Sequence, residues 1–332
     1  MKREKLLKFM GKKIIGVFIT VFFVMSILFF LLHAVPGGDI ATRMAPFAGA
    51  EAKAQIREVW GLDEPLYIQY AVFMKKVFTL DYRPTGTEHI DAMDLILTFL
   101  PYTILLFGTA TILSYLIGTF IGMRMLSETH SGGKIIALIS MILYAIPAFV
   151  LAVYFKSWFI FKYHLFSPLN IRIGNFGGFN PYENLLTDLQ NTGVLLEYMI
   201  LPTILLIMVG VARPLFLLKD QMTVISKEPF ILTAKAKGLT EGRIRSHHLA
   251  RSALLPLLND ASINIALIIS GGILIEYIFN WPGIGTILLH ALKALHYPTI
   301  TASIFLLTLI ILISMIITDL FNAYLDPRVM VT

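Results

Sequence analysis

Six stretches of this sequence are long and apolar enough to cross a bilayer, and they limit every fold open to the chain. They are Ile14–Val35, Leu95–Met123, Ile135–Phe161, Tyr198–Leu218, Leu257–Phe279 and Ile300–Phe321. About 30 Å of hydrocarbon takes roughly 20 helical residues, because lipid offers no partner to an unpaired backbone group. The spacing predicts an all-α, polytopic membrane protein with six transmembrane helices. Composition agrees: of 332 residues, 57% are hydrophobic and only 14% charged. That excludes a disordered chain, a disulfide-stapled secreted domain and an ordinary cytosolic enzyme. The first stretch follows Lys12 and Lys13, as a leader's would. Its apolar run is about twice a leader's usual length and lacks a small-x-small cleavage site, so it reads as a retained span.

An even number of spans puts both termini on one side, and the excess of Lys and Arg marks that side as cytoplasmic. Residues 1–13 carry six basic residues and 214–256 carry seven, whereas 162–197 has only Lys162 and Arg172, and 280–299 only Lys293. The expected order is a cytoplasmic N-terminus (1–13), a first transmembrane helix (14–35), an extracytoplasmic helical loop (36–94), a five-helix core (95–321) containing the loop 214–256, and a cytoplasmic C-terminus (322–332). Topology thus accounts for the net charge of +6 and leaves no case for nucleic acid as a partner. Within the outer loop, Ala48–Trp60 is rich in helix formers and Gly61 stops it. Tyr67–Phe78 reads as a second, aromatic-rich helix after Pro65.

Residues that carry chemistry are few. There is no G-x-x-x-x-G-K-[ST] to cradle ATP and no H-E-x-x-H, and the absence of Cys removes thiolate metal sites and a Cys nucleophile. His247 and His248 lie in a basic segment with no carboxylate arrangement beside them, which reads as solvated or partner-facing, not metal-ligating. Five charges fall inside or near span ends: Lys156, Arg213, Asp260, Glu276 and Asp319. Each either anchors or pairs helices or touches a solute. Pro101, Pro147 and Pro202 interrupt their spans and Gly271-Gly272 sits in the fifth; a Pro there opens a cavity or hinge, or is ordinary membrane-helix composition.

The loop between the fourth and fifth spans is the informative segment. Phe230–Lys237 reads as a short helix, Gly238 ends it in a φ > 0 turn, and Thr240–Leu255 resumes helix before Pro256. A helix–Gly–helix element of this kind suits insertion into a groove on another protein.

The motif Thr233-Ala234-Lys235-Ala236-Lys237-Gly238-Leu239, with Ala253–Pro256 (A-L-L-P) after it, resembles the coupling loop of ABC importer permeases. Fourteen residues separate Gly238 from Ala253, a long spacing similar to that of the dipeptide/oligopeptide/nickel branch. Four further runs resemble the same branch: P-G-G-D at Pro36–Asp39, G-L-D-E-P-L-Y-I-Q-Y at Gly61–Tyr70, E-Y-I-F-N-W-P-G-I-G at Glu276–Gly285 and D-L-F-N-A-Y-L-D-P-R at Asp319–Arg328. The chain departs from that pattern at Leu80–Gly86, which replaces a G-D-L-G-x-S run, and at Leu232, where the general importer loop has Glu.

The resemblance implies an ABC importer permease without an ATPase site of its own and without a cofactor or metal. Its cargo would be peptides or a related small solute, nickel or a metal chelate included. The implied partners are a second homologous permease, two P-loop ATPase subunits that bind ATP and Mg, an extracytoplasmic solute-binding protein, and the bilayer of the cell membrane. Residues 233–239 would form the coupling helix at the ATPase. Glu276, Trp281, Pro282, Gly283 and Gly285 would form either an external gate or binding-protein face, or a rigid re-entry turn packed on span ends. A secondary transporter calls for paired repeats or broken midplane helices, and a membrane-embedded enzyme for a convergent catalytic set; no repeat and no such set is visible in the sequence.

Overall fold

The computed structural model describes residues 2–35, 40–44, 49–83, 92–125, 131–165, 192–250, 252–254, 256–257, 260–261, 264 and 272–325. Every regular element among them is helical. Helix α1 (Lys2–Ala34) is followed by α2 (Ile40–Met44), α3 (Ala50–Trp60) and α4 (Leu66–Thr79). Then come α5 (Ala92–Met125), α6 (Ser131–Ala145), α7 (Ala148–Phe155), α8 (Thr192–Gly210), α9 (Ala212–Ile225) and α10 (Pro229–Ala236). The last three are α11 (Ile273–Phe279), α12 (Ile284–Ala294) and α13 (Tyr297–Leu325).

Among the described residues, four helices are long and apolar enough to cross a membrane: Phe9–Ala34, Ala92–Met125, Leu195–Ile225, which joins α8 and α9, and Tyr297–Leu320. Residues 135–162 form two apolar helices bent by 98°, where the sequence predicts one span, Ile135–Phe161, interrupted at Pro147. Pro147 is the cause. It stands at φ −55°, ψ 127°, lacks the N–H that would continue α6, and pushes its predecessor out of the helical region. Past it, α7 runs into a π-helical turn over Lys156–Lys162. Pro101 and Pro202 sit inside helices that remain continuous, so of the three only Pro147 makes a break. Of the fifth expected span, Leu257–Phe279, only 257, 260–261, 264 and 272–279 are described. Gly271, Pro36–Asp39 and the closing D-P-R at 326–328 lie outside the described residues.

Helices α1 and α13 are antiparallel neighbours. Tyr297 donates its hydroxyl to the Leu32 carbonyl near one end (2.9 Å), and Lys13 pairs with Asp319 near the other (2.6 Å). At the Leu32 end the short helices α3 and α4 pack Ile56, Trp60, Phe73 and Val77 onto Met25, Phe29 and Tyr297 in one apolar cluster. The G-L-D-E-P run shapes this cap. Gly61 takes φ 59° and ends α3, Asp63 pairs with Arg57, and Gln69 donates to the carbonyls of Leu62 and Glu64. Side chains from α4 then reach α1, Tyr70 to Ser26 (2.8 Å) and Gln69 to His33 (3.0 Å). Away from these contacts the spans expose large apolar side chains such as Phe18, Phe23, Ile112 and Leu116, as lipid-facing helices do.

Candidate functional site

The loop 214–256 folds as a small module with its own core. Glu228 has extended backbone before α10 and Pro229 occupies the first turn, where its missing N–H costs nothing. Gly238 ends the helix at φ +74°. Its N–H bonds the Lys235 carbonyl (2.9 Å) and the Leu239 N–H bonds the Ala234 carbonyl (3.3 Å), the paired bonds of a Schellman stop. The chain restarts as helix at Thr240, whose carbonyl accepts from Arg243 and Ile244, and passes through a π-helical turn at Ile244–Leu249. Ile231 and Ala234 face inward against Leu218, Met222, Ile244, Leu249, Ala250 and Ala253, with Met123 of α5 and Leu239 closing the edge.

This arrangement sorts the predicted coupling residues. Ala234 is only 5% exposed and serves as packing beneath the helix. Leu239 is half-buried, while Thr233, Lys235, Ala236, Lys237 and Gly238 are exposed. The outward face also carries Phe230 and Leu232, 45% and 65% exposed, which the motif alone does not single out. Neither helps to close the module's core. Two large apolar groups on a polar loop are the kind of surface that marks a protein contact. His247 is exposed and His248 half-buried, and no group of three potential metal ligands occurs among the described residues.

A second constellation lies at the α11–α12 turn. Asn280 reverses the chain at φ 55°, and Gly283 starts α12. The first N–H groups of a helix lack partners within it, and the helix dipole favours an anion there. Glu276 meets both needs: its carboxylate accepts from the N–H of Gly285 (2.7 Å) and of Thr286, and from the Thr103 hydroxyl (2.7 Å). Thr103 in turn accepts from the Ile284 N–H (2.8 Å). The Trp281 indole donates to the Tyr102 carbonyl (3.0 Å), and the Thr286 hydroxyl donates to the Trp281 carbonyl (2.7 Å). Lys156 donates to the Ile278 carbonyl at the closing end of α11. Gly283 and Gly285 are required by volume, since a Cβ on either would meet the Glu276 carboxylate.

Glu276, Trp281, Pro282, Gly283 and Gly285 are thus brought together, and all five are buried. The Glu276 and Trp281 side chains fasten the turn, and the two glycines leave room for the Glu276 carboxylate. Thr103, Tyr102 and Lys156 complete the constellation from other helices, and the sequence signalled only Lys156, as a charge within an apolar stretch. The remaining in-span charges are paired too, Arg213 with Asp260 (2.6 Å) and Asp319 with Lys13.

Comparison with known proteins gives this architecture a context. The family described as binding-protein-dependent transport system inner membrane component matches residues 114–331, and its N-terminal counterpart matches residues 6–103. The chain is 30% identical to the oligopeptide transport system permease protein AppB of Bacillus subtilis, over 91% of this chain and 92% of that one. It is 28% identical to the dipeptide transport system permease protein DppB of Alkalihalophilus pseudofirmus, with the same coverage. It is 29% identical to the oligopeptide transport system permease protein OppB of Haemophilus influenzae, over 98% and 99%.

Proposed function

Because the chain belongs to the family of binding-protein-dependent transport system inner membrane components, it is a multi-pass membrane permease subunit of an ABC importer, and we propose that its cargo is a peptide. The cargo reading draws on the relatives, which are named for dipeptide or oligopeptide transport. The architecture we assign has six spans, the fifth over Leu257–Phe279, with both termini cytoplasmic and residues 36–94 outside. Antiparallel α1 and α13 and the Lys and Arg of residues 1–13 and 214–256 support that orientation.

The observation that carries the mechanism is the two-faced α10. Its inner face is locked to α9 and α5 by an apolar core, and its outer face presents Phe230 and Leu232 beside Lys235 and Lys237. That outer face docks in a groove of an ATPase subunit. One such subunit serves this chain and another serves a second, homologous permease; both bind ATP and Mg. An extracytoplasmic solute-binding protein delivers the peptide. Closure of the ATPase pair displaces α10, and the module moves as a body with the helices that hold it, opening the pathway alternately to the two sides. A switch from 1:99 to 99:1 requires about 5.5 kcal/mol of differential binding between the two states. The fastened α11–α12 turn keeps α12 in place at the opposite end of the bundle.

The test is purification from native membranes in mild detergent, followed by reconstitution in vesicles with the binding protein. ATP-dependent uptake of a labelled di- or oligopeptide is the expected result. Recovery of the chain with no ATPase, or uptake driven by an ion gradient in the absence of ATP, would overturn the assignment.

A further inference from the structure

Helix α5 touches both constellations. About three turns into it, Thr103 and Tyr102 hold the α11–α12 turn through Glu276 and Trp281. Twelve residues on, about 18 Å along the helix, the Tyr115 hydroxyl donates to Asp260 Oδ2 at 2.6 Å. Asp260 also receives the Arg213 guanidinium, with Nε 2.9 and 3.0 Å from its two oxygens and Nη2 2.6 Å from Oδ1. Arg213 and Asp260 flank the loop 214–256 in sequence, so this forked pair closes the base of the module and Tyr115 ties that base to α5.

The same stretch of α5 is pressed against α8 and α9. Ser114, Gly118 and Gly122 recur every fourth residue, the small-residue spacing that lets membrane helices approach closely. A Cβ at Gly118 would stand 2.6 Å from Pro214 Cγ and 2.8 Å from the Val211 carbonyl; one at Gly122, 3.1 Å from the Leu215 carbonyl. From the other side, a Cβ at Gly210 would stand 2.6 Å from the Ser114 hydroxyl. Met123, the residue after Gly122, joins the module's core.

We propose that α5 is the connecting rod of the transporter, with Tyr115, Arg213 and Asp260 as the positioning residues that lock it to the module and Thr103 as the one that locks it to the α11–α12 turn. A displacement of α10 then reaches α12 through one rigid helix. Separating Arg213 from Asp260 would leave each charge unpaired near hydrocarbon, so the base holds its register as it moves. Distance alone does not make a path; both ends must bias one shared element, and α5 carries side-chain hydrogen bonds to both. This inference rests on the reading of α10 as the ATPase-docking helix.

The chain contains no Cys, so Leu292→Cys, on the exposed face of α12, carries a spin label without interference from this subunit. The label is followed in the full complex, with Cys-free partners, in the nucleotide-free and ATP-trapped states. In the otherwise unaltered chain its spectrum changes on trapping. Tyr115→Phe, which removes one hydroxyl, and Asp260→Asn reduce that change by half or more while the complexes still assemble and hydrolyse ATP; Asp260→Glu restores much of it. A full spectral change in Tyr115→Phe overturns the proposal, and that variant decides the question should Asp260→Asn fail to assemble. If the unaltered complex binds no ATPase, the reading of α10 fails and the rod with it; if it binds ATPase and transports but the label never responds, the rod alone fails.

Discussion

Gly238 stands at φ +74° with open space where a Cβ would be, so the demand there is on the backbone and not on volume. A β-branched residue in this conformation is strained by about 1–3 kcal/mol. Gly238→Val is therefore expected to tilt α10 while the apolar core of the module survives. In reconstituted vesicles ATP hydrolysis should continue while peptide uptake falls; normal uptake would refute a coupling role for the turn. His296 offers a different handle. It is 8% exposed, within 2.8 Å of the Thr299 hydroxyl, and burial pushes its pKa down to about 4. An unfolded His titrates near 6.5, so between those values the unfolded chain binds the extra proton. Stability is full above about pH 6.5 and is lost as pH falls towards 4, by roughly 3 kcal/mol in all. The thermal midpoint in detergent should drop over that window, and His296→Gln should flatten the profile; an unchanged slope would show that other groups set it.

The elements show where periodicity was a sufficient guide. Gly61 and Gly238 end α3 and α10 where a left-handed stop was expected, because those stops follow from local backbone chemistry. Three Pro residues looked alike in sequence, yet only Pro147 breaks its helix. Pro101 and Pro202 lie in helices whose neighbours hold them on course, and such support is tertiary. On α10 the pattern of small residues drew attention to Ala234 and Ala236, while the exposed face belongs equally to Phe230 and Leu232. Burying one Leu contributes about 1.5–3 kcal/mol, so Leu232→Glu is expected to weaken ATPase association at least tenfold in a detergent pull-down titration. Undiminished binding would place the contact elsewhere on the loop.

For the bundle as a unit, the pairing of α1 with α13 puts residues 13 and 319 side by side, and the orientation proposed from the basic N-terminal segment sets that end in the cytoplasm. In protoplasts a membrane-impermeant maleimide should label Glu51→Cys at once and Lys2→Cys only after permeabilisation. The opposite pattern would invert the molecule in the membrane. Each in-span charge that the sequence marked as costly has a partner contributed by a different helix, which is how a bundle keeps ionised groups in an apolar setting.

Hydropathy, charge bias and short-range turn chemistry were enough to make this chain an all-helical, multi-pass membrane protein, since lipid admits few alternatives and a helix satisfies its own backbone. Family kinship was legible for a related reason: motif residues such as Gly61 and Gly238 act through local geometry, as left-handed stops, and Pro229 in the loop of Gly238 starts a helix. The buried roles of Trp281 and Gly283, the part played by Thr103 and the clasp of Tyr115 with Asp260 and Arg213 depend on which helices meet. Contacts spanning 145 and 173 residues of chain leave no periodic trace, and packing alone selects them.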